Sequence, residues 1–129
     1  TAAETGHLVL ATLHTGSAAK AIDRLVDVFA AQEKALVRTM LADALQAVVA
    51  QVLVPRVQGG RVAAHEVLLA TPAVRNLIRE GKVAQLYSAM QTGAALGMQT
   101  LDSSLQGLVR RGVVSLETAR ANARSPDQV

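Results

Sequence analysis

Three histidines, ten carboxylates and thirteen cations are the residues of this chain that could bind or move charge, and most of them fall into no chemical pattern. His7 and His14 bracket an apolar run. On a strand that separation spans about 23 Å and turns the two side chains to opposite faces, so they cannot share one metal ion. His65 has no neighbour at ligand spacing and the chain has no cysteine, so the sequence offers neither a metal site nor a disulfide framework. A phosphate-gripping loop needs Gly-x-x-x-x-Gly-Lys-Ser/Thr, because backbone amides and the lysine must wrap the phosphates. The one Gly-Lys pair, Gly81-Lys82, is followed by Val83, and Gly93-Ala94-Ala95-Leu96-Gly97 lacks a lysine and reads as a helix-ending turn. No Gly-x-Ser-x-Gly elbow occurs and the carboxylates form no obvious pair. On its own residues the chain is not expected to turn over a substrate.

His14 stands apart. It falls at the C-terminal end of a predicted strand, the end at which open α/β sheets place their ligand crevice. An imidazole there can donate a hydrogen bond to a phosphate oxygen, or it can bond to backbone at the strand end. The residues alone leave both readings open.

The elements that would position His14 follow from the apolar spacing. His7–His14 encloses Leu-Val-Leu-Ala-Thr-Leu, a run that suits a strand buried on both faces. Ser17 caps a helix with Ala18, Ile22, Leu25, Val26 and Phe29 on one face. A longer helix is expected from about Gln32 to Gln51. Next comes a hairpin, Gln51–Val57 and Arg61–Ala70, turning at Gln58-Gly59-Gly60. Thr71-Pro72 starts a helix that stops at Gly81. Val83, Leu86, Tyr87 and Met90 mark the next. Thr100 caps one with Leu101, Leu105, Leu108 and Val109 inward and Gly112 as its stop, and Ser115 caps the last before Ser125-Pro126.

Composition agrees with a mostly helical, mixed α/β body: half the residues are apolar, chiefly Ala, Leu and Val, and the only aromatic residues are Phe29 and Tyr87. The formal charge of +3 invites a nucleic acid or an anionic lipid. The cations Lys20, Arg38, Arg56, Arg61, Arg75 and Arg110 are scattered, without aromatic interleaving, which fits a solvated surface; no nucleic-acid partner is expected. Val83–Leu101 is uncharged, yet its glutamines, threonines and glycines mark a soluble helix and turn rather than a membrane span. Absence of cysteine fits a cytoplasmic setting. The opening Thr1-Ala2-Ala3-Glu4 carries neither an initiator Met nor a secretory signal, and reads as the edge of a piece of a longer chain.

Two segments carry a resemblance. Thr5-Gly6-His7-Leu8-Val9-Leu10-Ala11-Thr12-Leu13-His14-Thr15 closely resembles the His box of the type II/IV secretion and pilus ATPases, TGHLV-x-x-TLHT. Ala73-Val74-Arg75-Asn76-Leu77-Ile78-Arg79-Glu80 resembles AIRNLIRE, the signature helix of the type IV pilus retraction (PilT) family, with Val74 in place of Ile. Gly97–Asp102 and Leu108–Ser115 resemble that family's closing helices, so the likeness runs over essentially the whole chain.

The resemblance implies the C-terminal part of a RecA-like P-loop domain. Residues 1–70 would complete the ATPase core with one core strand, two helices and a small hairpin; residues 71–129 would form a helical subdomain. It implies that His14 faces the γ-phosphate with His7 in support, and that the helix at 73–80 serves retraction; the helical spacing itself puts Val74, Leu77 and Ile78 inward and Arg75, Arg79 and Glu80 outside. It further implies a parent that hydrolyses ATP with Mg as a cytoplasmic homo-hexamer, docked peripherally on the pilus platform protein of the inner membrane. Walker A, Asp box and Walker B are absent here, so tight nucleotide binding and turnover by this chain alone are not expected. Two alternatives stand beside this reading: a pilus-assembly or type II secretion ATPase of the same superfamily, and a non-enzymatic helical binding module.

Overall fold

In the computed structural model, which describes residues 1–129, one antiparallel hairpin is the surface on which the helices gather. Its strands are β1 (Ala47–Pro55) and β2 (Arg61–Leu69), with Val48 opposite Leu68, Ala50 opposite Glu66 and Val54 opposite Val62. The turn needs backbone that only glycine adopts freely: Gly59 and Gly60 have φ of 96° and 71°, and the Arg56 N–H donates to the Gly60 carbonyl at 2.9 Å. Alternation puts Ala50, Val54, Ala64, Glu66 and Leu68 on one buried face, while Val49 and Leu53 point to solvent. The free edge of β2 is covered. Val67 and Gln99 exchange backbone bonds of 2.9 and 3.1 Å, and the His65 N–H donates to Ser104 Oγ at 3.1 Å.

Six helices surround the hairpin: α1 (Ala18–Asp27), α2 (Lys34–Ala44), α3 (Pro72–Arg79), α4 (Leu86–Thr92), α5 (Leu101–Arg110) and α6 (Leu116–Asn122). Four begin at a hydroxyl cap: Ser17, Thr71, Thr100 and Ser115 each accept a hydrogen bond from a backbone amide three residues on. Two apolar cores lie end to end along the buried face. One joins Leu68 to Ala18, Ile22, Ala42, Val74, Ile78, Leu86, Met90 and Met98; the other joins Val54 and Ala64 to Leu101, Leu105, Leu108, Val114 and Ala119. Both draw residues from either side of position 70.

Three expectations are corrected. The helix expected over 32–51 ends at Ala44, and residues 47–55 are strand instead. Leu45 turns extended, and the β-branched Val48 and Val49 then alternate between the faces; an Ala/Val-rich run fits either period until a partner strand decides. The strand expected over 7–14 does not form. No backbone group from residue 8 to 16 pairs with another, and Leu8 and Leu10 are 84% and 87% exposed. A strand of that composition holds only between neighbours, and here it has none. Phe29, expected on the inner face of α1, lies beyond its end and is exposed. The uncharged stretch 83–101 is split among short helical segments, and no helix is long and apolar enough to cross a membrane.

Candidate functional site

The irregular segment ends where it meets α1. Thr15 Oγ1 donates to the Ser17 carbonyl at 3.2 Å, and Ser17 Oγ accepts from the Lys20 N–H at 3.0 Å, so the chain enters the helix at a fixed angle. The exposed face of α1 then runs alongside: Lys20, Asp23, Arg24 and Asp27 line an open polar groove with His14, Thr15 and Gly16. Arg24 Nη1 donates to the His14 carbonyl at 2.8 Å, which holds the backbone of His14 and leaves its imidazole exposed. Asp27 pairs with Lys34 at 3.2 Å and links the end of α1 to the start of α2. Two cations and two carboxylates balance the groove's charge.

His7 is not part of this groove. Its Nδ1 lies 3.1 Å from Thr5 Oγ1 and 3.2 Å from the Ala2 carbonyl, within the turn that precedes the irregular segment. The structure thus brings His14 to Lys20 and Arg24 and leaves His7 elsewhere. Arg24 was not picked out from the sequence, and Lys20 was read there only as one of the scattered surface cations; a four-residue spacing of cations on the helix that follows a capped turn was the available signal.

The second predicted site is α3 with Glu80 just beyond it. Val74 and Ile78 are fully buried against Ala42 of α2, with Leu77 partly buried beside them, as the helical spacing required. Ala73 and Asn76 are exposed, and Glu80 pairs with Lys82 at 3.0 Å. Arg75 corrects the expectation of an outward face. It is half-buried, and its Nη1 donates to the carbonyls of Ala42 and Asp43 at 2.5 and 3.0 Å, at the C-terminal end of α2. Those are carbonyls with no helical partner, at the negative end of the helix dipole, where a guanidinium is well placed. Arg79 lies outside as expected, yet it too reaches α2, with Nη2 2.8 Å from Asp43 Oδ1 and Nη1 3.1 Å from Asn76 Oδ1. Arg75 and Arg79 therefore fasten α3 to α2 as well as sharing one helix face.

Comparison with known proteins places this geometry. The family described as type II/IV secretion system protein matches residues 1–120. The chain is 65% identical over 127 residues to the type IV pilus retraction ATPase PilT of Pseudomonas aeruginosa, covering 98% of this chain and 37% of that protein. It is 58% identical over 130 residues to a twitching motility protein of Neisseria gonorrhoeae, covering 100% of this chain and 35% of that protein. It superposes on a crystal structure of the pilus retraction motor PilT with bound ADP at a TM-score of 0.85 and 42% identity, over 98% of this chain and 35% of that one. The mixed α/β class read from the sequence holds in that match, and the chain spans about a third of the length of the curated relatives it matches. The chain belongs to the type II/IV secretion system protein family, and over its whole length it resembles the pilus-retraction members.

Proposed function

We propose that this chain is the C-terminal portion of a homo-hexameric motor ATPase that drives type IV pilus retraction and twitching motility. The observation that carries the reading is that a His-box segment and an AVRNLIRE helix share one fold, in a chain similar over 98% of its length to a retraction ATPase. In the complete protein, residues 1–70 would continue the nucleotide domain and residues 71–129 the helical part, the two sharing the cores described above. The motor would work in the cytoplasm, peripheral to the inner membrane, against the pilus platform protein.

The residues present suit one side of a nucleotide. His14 can donate to a phosphate oxygen and Lys20 stands beside it, whereas no loop here wraps phosphates and no three acidic or histidine side chains gather to hold Mg. Those contacts fall to the rest of the longer protein, where Mg would neutralise charge developing on the transferred phosphoryl group. Within this chain, His14 would respond to the γ-phosphate, with His7 placed only to shape the turn before it. The Thr15–Ser17 junction would carry the response into α1. The helix from Ala73 to Glu80 would serve retraction.

His14→Ala in the full-length protein is expected to lower ATP turnover by about a hundred- to a thousandfold, the range for losing one donor to developing charge. Its thermal midpoint and ring assembly should stay unchanged. Wild-type turnover in that variant would overturn the assignment.

A further inference from the structure

The seam between the two cores is not apolar. Between Leu68 of one core and Ala64 of the other, the buried face of β2 carries Glu66, whose side chain is 0% exposed. Its Oε1 accepts from the Ala18 N–H at 3.0 Å, and its Oε2 from the Leu101 N–H at 3.3 Å. Ala18 and Leu101 are the first residues of α1 and α5. One carboxylate therefore faces the positive ends of two helices. The neighbouring caps hold the amides two residues further on, Ser17 Oγ that of Lys20 and Thr100 Oγ1 that of Ser103. A third arm comes from the far end of the chain: Arg124 Nη2 donates to Glu66 Oε1 at 2.9 Å. Arg124 is itself pinned. Asp102 accepts from the backbone amides of Arg124 and Ser125 at 2.8 and 2.9 Å, and the guanidinium lies 5.2 Å from the centre of the Tyr87 ring.

A buried carboxylate is costly unless it is paired with a charge and hydrogen-bonded. Here it is engaged only while α1, α5 and the 124–125 segment keep one mutual arrangement, and α1 begins four residues after His14. We propose that Glu66 is a positioning residue for His14: it clamps the His14–Ser17 junction to α5 and Arg124, so that a shift of the junction is passed to the C-terminal helices as one rigid step. This rests on the reading of His14 as the residue that responds to nucleotide.

The test uses the full-length motor and a double-mutant cycle in ATP turnover. Glu66→Gln keeps the volume but removes the charge and points an amide N–H₂ at donors. It is expected to lower kcat about tenfold, on the scale of one lost charged hydrogen bond, and to leave KM for ATP within about twofold, since the phosphate loop lies elsewhere. Combined with His14→Ala it should add little further loss, because both changes break one path. Arg124→Gln, which removes only the peripheral arm, should lower kcat severalfold and show the same non-additivity, and it serves where Glu66→Gln does not assemble. Fully additive losses in the cycle, or a fall in thermal midpoint with kcat unchanged, would overturn the proposal while leaving His14 intact. Wild-type turnover in His14→Ala alone would instead remove the reading on which the proposal stands.

Discussion

Arg75 and Arg79 look alike in the sequence and do different work in the structure. Arg75 satisfies two carbonyls at the end of α2, so Arg75→Ala should destabilise the chain by about 1.5–3 kcal/mol, the range for hydrogen bonds to a charged group. Arg79 holds a solvent-facing pair with Asp43, and Arg79→Ala should cost about 0–1 kcal/mol. Thermal denaturation of the two single variants separates them; equal losses would contradict the geometry. In the full-length protein the double alanine variant is expected to assemble and to lose twitching, and normal twitching would remove the retraction role proposed for α3. A third residue reports through pH. Burial, aided by neighbouring Asp102, raises the pKa of the Tyr87 hydroxyl above its ordinary 10.0 against smaller opposing effects of Thr100 and Arg124. The folded state then holds the phenolic proton more tightly than the unfolded one. Its stabilising contribution is complete below the ordinary tyrosine pKa and is lost as pH rises through the folded one. Tyr87→Phe should flatten the decline in stability above about pH 10, measured by denaturant titration at stepped pH.

The elements divide by what defines them. Helices whose start is written in a hydroxyl or a Thr-Pro pair were legible: Ser17, Thr71, Thr100 and Ser115 all cap where the sequence placed them. The inward faces of α3 and α5 followed from spacing. What was not legible depends on distant partners. Ala47–Ala50 became strand because β2 lies alongside, and residues 7–14 did not because nothing does. The same holds at the site: His14 was chosen from the end of a predicted strand that does not form and from the His-box resemblance, while Glu66 sat unnoticed in a Val/Ala-rich strand, since only the folded register shows its carboxylate between two helix ends. Leu68 is fully buried in the first core, and Leu68→Ala is expected to cost about 2–5 kcal/mol in chemical denaturation. A loss below 1 kcal/mol would show that β2 does not carry that core.

At the scale of the whole molecule, apolar surface is left uncovered in one place above all. Leu8, Val9, Leu10 and Leu13 are exposed in a continuous run, at the edge of a chain that spans about a third of its relatives. Isolated, it should self-associate through this run, as contiguous exposed apolar patches do. Leu8→Ser with Leu10→Ser should shift sedimentation velocity toward the monomer at concentrations where the unaltered chain is oligomeric; a monodisperse unaltered chain would refute this.

The Glu66 clamp also leaves a signature in solvent exchange. The first amide of a helix has no helical acceptor and ordinarily trades its hydrogen with water quickly. Those of Ala18 and Leu101 are instead shielded by a carboxylate on a buried strand. Both should exchange slowly and with the same protection factor, because one opening event of the hairpin exposes them together. Two residues remote in sequence would thus keep time with each other.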